Sequence, residues 1–165
     1  MNIFKKIKSI YSSGNDQKNK NQASQPNSQK KVLIVDDEQA LLNALNLKFK
    51  SAGFATTTAT NGQAALDIVK VNKPDIILLD LMMPIMDGKQ MLEKLRQIPE
   101  FQKLPVIILT NAGSVQNMEE TTKMDGAAAF LIKSNVSLDD ILSKVKDLTS
   151  DNPINITLIN NIQSP

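Results

Sequence analysis

The sequence predicts an α/β protein in which a doubly wound, five-stranded parallel sheet lies between two helical layers, a three-layer sandwich. Three observations carry this reading. Short apolar runs rich in Val, Ile and Leu recur five times along the chain. Within each run the apolar residues are continuous rather than alternating, as strands buried on both faces require. Each run is followed by apolar residues at helical spacing, and parallel strands need such crossover connections.

The elements follow in order. Residues 32–35 form the first strand, and Leu41, Leu42, Leu45 and Phe49 then recur at helical spacing until Gly53 stops the helix. Residues 54–60 are Thr-rich and weakly apolar, which suits an edge strand, and Asn61 opens a helix carrying Ala64, Ala65, Ile68 and Val69. Residues 76–79 make a third strand, with Met91, Leu92 and Leu95 marking a helix after Gly88. Residues 106–109 make the fourth, followed by a polar helix at 114–124 that Gly126 ends. The fifth strand is 127–132. Ser137 then opens a helix with Leu138, Ile141, Leu142, Val145 and Leu148 on one face, and Asp140 three residues on resembles a capping box.

Length and composition bound the function. A chain of 165 residues fits one domain with tails, so we expect residues 1–30 as a basic segment plus linker, 31–150 as the folded domain and 151–165 as a tail. Little room is left for an output module. The chain has no cysteine and no histidine, which excludes disulfides, thiolate chemistry and imidazole catalysis. No apolar run approaches the roughly 18 residues that cross a bilayer. Residues 1–31 hold seven lysines against Asp16, a net of +6, so the overall +2 less +6 leaves −4 on the rest. The basic pI therefore belongs to the tail, and no nucleic-acid binding by the core is expected.

In such sheets the site lies at the carboxyl ends of the strands. There this sequence places Asp36, Asp37 and Glu38 after strand one, Asp80 after strand three, Thr110 after strand four and Lys133 after strand five. Asp36 and Asp37 cannot both enter the crevice from an extended strand, so the chain must turn there. Clustered carboxylates repel by a few kcal/mol per pair at an effective dielectric near 20, more than one lysine offsets. A divalent cation resolves this, and oxygen-only ligands favour Mg²⁺ or Mn²⁺. A carboxylate beside such an ion, with a hydroxyl and an ammonium to receive phosphoryl oxygens, suits a nucleophile that forms an acyl phosphate. Each residue alone has a simpler reading. An acidic pair often only completes a helix N-terminus, and a lone lysine is usually a solvated turn residue.

With VDDE at 35–38, DLMMPIMDG at 80–88, LT at 109–110 and GAAAFLIK at 126–133, the chain from 31 to 148 resembles a receiver domain of bacterial two-component response regulators, of the stand-alone CheY-like kind. The resemblance implies a flavodoxin-like (βα)5 fold. It implies phosphorylation at Asp80 by a histidine kinase or phosphotransfer protein. It also implies Mg²⁺ held by Asp36, Asp37, Asp80 and the Met82 backbone carbonyl, with Asp36 acting mainly through water. Thr110 and Lys133 match the phosphoryl-contacting hydroxyl and ammonium, and Phe130 the aromatic switch. The family usually has proline where Ser134 stands, and a small residue where Asn111 stands. The first bears on the 133–134 peptide, the second on access to the phosphoryl group.

On this reading the chain is a cytoplasmic signalling domain rather than an enzyme. Its downstream partner binds the face made by helix 114–124, strand 127–132 and helix 137–149. Two alternatives compete with it. An aspartyl-phosphate hydrolase commonly carries a second Asp two residues after the first, where Met82 stands here. A non-phosphorylated interaction module would need no convergent acids. Residues 12–30 contain one Ala and no larger apolar side chain, the composition of a flexible linker. Ahead of it, Ile3, Phe4, Ile7, Ile10 and Tyr11 recur at helical spacing beside Lys5, Lys6 and Lys8, a pattern suited to weak docking on an anionic membrane or a partner protein.

Overall fold

The computed structural model describes residues 29–111 and 126–150. The segment 1–11, most of the linker, the helix expected at 114–124 and the tail 151–165 lie outside the described residues.

The strands are β1 (Lys31–Val35), β2 (Ala55–Ala59), β3 (Ile76–Leu79), β4 (Val106–Thr110) and β5 (Ala129–Ile132). All pair in parallel in the order β2-β1-β3-β4-β5, with the Thr-rich strand on an edge as expected. The helices are α1 (Gln39–Ser51), α2 (Gly62–Asn72), α3 (Gly88–Arg96) and α4 (Leu138–Thr149). Alternate residues of each central strand enter opposite cores. Val32, Ile34, Ile76, Leu78, Ile107 and Leu109 pack with Phe49 of α1 and Ile141 of α4. Leu33, Val35, Ile77, Leu79 and Ile108 pack with Val69 of α2 and Leu95 of α3. That two-sided burial is why the strand sequences show no alternation.

Helix boundaries follow the chemistry read from the sequence. Asn61 caps α2 by accepting from Ala64 N–H at 2.9 Å. The α1 terminus is a Schellman motif: Gly53, at φ +91°, donates to Lys50 O, and Phe54 N–H donates to Phe49 O. The accompanying apolar contact is an edge-to-face pair of Phe49 and Phe54, ring centroids 5.5 Å apart. This turn uses Phe54, so β2 starts one residue later than the apolar run suggests. Asp87, which the sequence reading passed over, caps α3 by accepting from Gln90 N–H at 2.8 Å.

The 127–132 expectation for strand five is corrected to Ala129–Ile132. The register with β4 starts at Ile107 opposite Ala129; Ala128 N–H still donates to Val106 O at 2.8 Å, while Gly126 O turns to Arg96. That guanidinium donates to Phe101 O at 2.7 Å, to Leu104 O at 2.9 Å and to Gly126 O, tying three loop carbonyls to the end of α3. Burial lowers its pKa. A 3-10 turn at Pro99–Phe101, absent from the sequence reading, buries Phe101 beside it.

At α4 the capping box is complete. Ser137 Oγ accepts from Asp140 N–H, and the Asp140 carboxylate accepts from Ser137 N–H at 2.8 Å. Hydrogen bonds from the Ser137 hydroxyl and then its backbone N–H hold the Asp140 carboxyl below the usual carboxylate range. A depressed folded-state pKa gives stability that is present above the unfolded value and lost as pH falls through the folded one. Ser137→Ala removes the cap oxygen that accepts from Asp140 N–H and should cost about 1 kcal/mol in urea unfolding at pH 7. The difference from the unsubstituted protein should narrow at about pH 3, below the reference value; an undiminished gap there would remove the box from the account.

Candidate functional site

Register places the acids. Val35 lies opposite Leu79, so the next residues, Asp36 and Asp80, leave adjacent strands side by side. Backbone bonds continue the ladder for both, Asp36 N–H to Ala59 O at 3.1 Å and Asp80 N–H to Val35 O at 2.9 Å. Both side chains are buried, Asp36 at 1% and Asp80 at 3% exposure. The chain then turns, as the alternation argument requires. Glu38 N–H donates to Asp36 Oδ1 at 3.0 Å, and Glu38 becomes the N-cap of α1. Asp37 is thereby solvent-exposed while an oxygen of its carboxylate still lies within 4.8 Å of oxygens of Asp36 and Asp80.

Lys133 follows β5 and crosses to the acids. Its Nζ stands 2.6 Å from Asp36 Oδ2 and 3.1 Å from Asp80 Oδ2. Asp36 Oδ2 has this ion pair without a hydrogen bond of normal geometry. Burial draws the Lys133 pKa down, but the close contacts with Asp36 and Asp80 outweigh it and leave the ammonium above its ordinary value. Burial pushes the Asp80 carboxyl up, reinforced by the Asp36 charge and opposed by Lys133. Leu81 N–H orients that carboxylate, donating to Oδ1 at 2.8 Å. Three formal negative charges thus face one positive one.

Of the other expected residues, Thr110 ends β4 with its Oγ1 buried and without a hydrogen-bond partner among the described residues. The Met82 backbone lies close enough to favour the Asp80 anion, while its side chain is 63% exposed. Phe130 does not join the cluster. It sits in β5 opposite Ile108, half-buried against the α2 and α3 side of the sheet. Asn111 is exposed, and Lys133, Ser134 and Asn135 form a 3-10 turn, with no cis peptide among the described residues.

The loop after Asp80 is shaped by close backbone approaches. A Cβ on Gly88 would lie 2.1 Å from Asp80 O, so only glycine lets α3 start against the carboxylate's own backbone. Gly88 N–H also donates to Leu81 O at 3.0 Å. Between them Met86 N–H closes a γ-turn on Pro84 O at 2.8 Å, centred on Ile85 at φ +70°. A β-branched residue is strained there, at a cost on the order of 1 kcal/mol or more. The sequence shows Gly88 as punctuation but gives no sign of the Leu81 N–H, which every residue type but proline supplies.

Residues 32–146 match the family described as the response regulator receiver domain. The chain belongs to that family. This receiver is 38% identical over 116 residues to sporulation initiation phosphotransferase F of Bacillus subtilis, covering 70% of this chain and 90% of that protein. It is 30% identical over 118 residues to response regulator MprA of Mycobacterium sp. strain KMS, covering 72% of this chain and about half of that relative. Among solved structures, the Francisella response regulator 1452 receiver domain superposes with a TM-score of 0.65 at 35% identity, covering 73% of this chain and 96% of that one. Vibrio cholerae CheY4 gives 0.66 at 26% identity, covering 73% and 99%. The five-stranded parallel fold with flanking helices is that of these CheY-like neighbours.

The donor set fits Mg²⁺. Carboxylate oxygens of Asp36, Asp37 and Asp80 converge, one acid stays open to water, and one ammonium leaves the charge uncompensated. Because the raised Asp80 pKa marks an anion held at a cost, Asp80→Asn should raise the Tm of the metal-free receiver at pH 7. The gain should shrink as pH falls and vanish toward about pH 3, below the unfolded-state value, where Asp80 is protonated folded and unfolded alike. Mg²⁺ should stabilise the unsubstituted protein by about 1.4 kcal/mol per tenfold excess over Kd and Asp80→Asn far less. Equal Mg²⁺ response in both would show that the ion is held elsewhere.

Proposed function

We propose that this receiver accepts a phosphoryl group on Asp80 and signals by phosphorylation-dependent binding of a partner protein. The observation that carries the reading is a buried Asp80 oriented by Leu81 N–H, flanked by Asp36, Asp37 and the Lys133 ammonium. Asp36, Asp37, Asp80 and the Met82 carbonyl would hold Mg²⁺, which when bound offsets the negative charge of carboxylates and phosphoryl oxygens. The chain has no histidine, so the donor is another protein, a histidine kinase or phosphotransfer protein, or a small acyl phosphate. An Asp80 oxygen forms a bond to phosphorus as the phosphorus–nitrogen bond of a phosphohistidine breaks. The imidazole leaves with the bonding pair and takes up a proton.

Lys133, now shared between two carboxylates, turns to a phosphoryl oxygen, and the Thr110 hydroxyl, unpartnered among the described residues, donates to another. Movement of Thr110 opens space that Phe130 follows, shifting the population of a pre-existing state. The partner binds the face of 114–124, 127–132 and 137–149. Residues 31–150 form the receiver, residues 12–30 tether it, residues 1–11 are a docking element for a membrane surface or a protein, and the setting is cytoplasmic.

Incubation with radiolabelled acetyl phosphate tests the core of this. Label should enter the full-length protein only with Mg²⁺ present, and Asp80→Asn should reduce it to background; label surviving in that variant overturns the assignment. A phosphoryl mimic should move backbone chemical shifts in β5 and α4 as well as in the acidic loops. Changes confined to the loops would sink the switch.

A further inference from the structure

An open groove lies at the opposite end of the sheet from Asp80, beneath the C-terminal half of α2. It encloses about 270 Å³ and is lined by Leu33, Ala55, Thr57, Ile68, Val71 and Pro74. Val71 stands at its mouth, 81% exposed, an apolar side chain that the described residues leave uncovered. A cavity of roughly 150 Å³ holds one benzene ring, so this groove has space for an aromatic ring and one aliphatic side chain beside it.

We propose that the groove seats this chain's own N-terminal apolar stripe, Phe4 in the cavity with Ile7, one helical turn on, against Val71. The covalent path favours that occupant. Lys31 lines the groove, and Lys30 O accepts from Ala55 N–H at 2.9 Å, so the chain preceding β1 departs from the groove's rim. Apart from Pro26, residues 12–28 offer no apolar side chain larger than Ala23. As a flexible tether their 17 residues give an end-to-end distance of about 23 Å. The groove lies inside that radius, and such short linkers give millimolar effective concentrations. A stripe that would bind with Kd of about 1 mM as a free peptide is then half-docked or better. The C-terminal tail, the other apolar segment at hand, sets out from α4, whose Ile141, Leu142 and Val145 pack on the opposite face of the sheet. Docking hides the stripe from other surfaces and holds the receiver against its own tether. It stands apart from the phosphoacceptor reading, whose test it does not share.

The chain has no cysteine, so Ser9→Cys carries a single nitroxide, on the side of the segment opposite Phe4 and Ile7. In the full-length ¹⁵N protein, paramagnetic relaxation at the amides of Thr57, Ile68 and Val71 should exceed that at Asp37, Met86 and Thr110 by about threefold or more. Adding Phe4→Asp and Ile7→Asp to the labelled chain should cut the groove excess by about twofold or more, leaving only what the tether's origin at that rim gives. Equal enhancement at both ends of the sheet, or a groove excess that the charged variant leaves undiminished, overturns the proposal. So does groove broadening in an unlabelled ¹⁵N chain mixed with nitroxide-labelled ¹⁴N chain, which would make the occupant a second copy. Loss of groove contact on Ile156→Asp and Leu158→Asp, with Phe4 and Ile7 intact, assigns the groove to the tail and overturns it as well.

Discussion

Asp36 and Asp80 stand side by side because β1 and β3 pair with Val35 opposite Leu79, and the remaining features of the site answer that constraint. Two unit charges about 4 Å apart repel by about 4 kcal/mol at an effective dielectric of 20. The sheet cannot relax to separate them. Each strand is buried on both faces, and a one-residue slip would send every side chain into the wrong core. The chain instead surrounds the pair with compensation. Lys133 reaches in from β5, Leu81 N–H meets one Asp80 oxygen, and Glu38 N–H meets one Asp36 oxygen. Asp37 then adds charge from the solvent side, so among the described residues three carboxylates face the one Lys133 ammonium.

Much of this was legible because the signals are local. Continuous runs of Val, Ile and Leu identify doubly buried strands, and Asn61 and Ser137 act as the caps their positions suggest. The convergence of Asp36, Asp37, Asp80 and Lys133 was legible for a topological reason: each follows a parallel strand, and the carboxyl ends of such strands share one edge whatever the strand order. What escaped depends on backbone groups or on distant pairs. Arg96 reads as an ordinary helix-end cation, and only the folded chain brings Phe101, Leu104 and Gly126 carbonyls to it. Phe54 looks like strand and is drawn into the α1 terminus because Gly53 completes a Schellman turn.

The loop after Asp80 shows two kinds of exactness in one stretch. Gly88 is fixed by space, since Asp80 O occupies the place of any Cβ. Ile85 is tolerated against its own preference, because the surrounding bonds over-determine the γ-turn: Met86 N–H is held by Pro84 O, and Met86 O by Gly62 N–H at 2.9 Å. With its side chain 83% exposed, Ile85 gains nothing from burial to offset the strain. The carboxylate's precision thus rests on neighbours that are individually unfavourable and jointly locked.

That bond from Gly62 to Met86 has a consequence for the molecule as a whole. It fixes the first residue of α2 to the loop behind Asp80, while Ile68, Val71 and Asn72 at the helix's other end line the groove. An eleven-residue helix is a stiff rod about 16 Å long. It therefore spans from the loop behind Asp80 to the groove. Equilibrium thermodynamics then imposes reciprocity: by whatever factor an occupant of the groove changes the binding of an ion or ligand at the acidic loops, that ion or ligand changes the occupant's binding by the same factor.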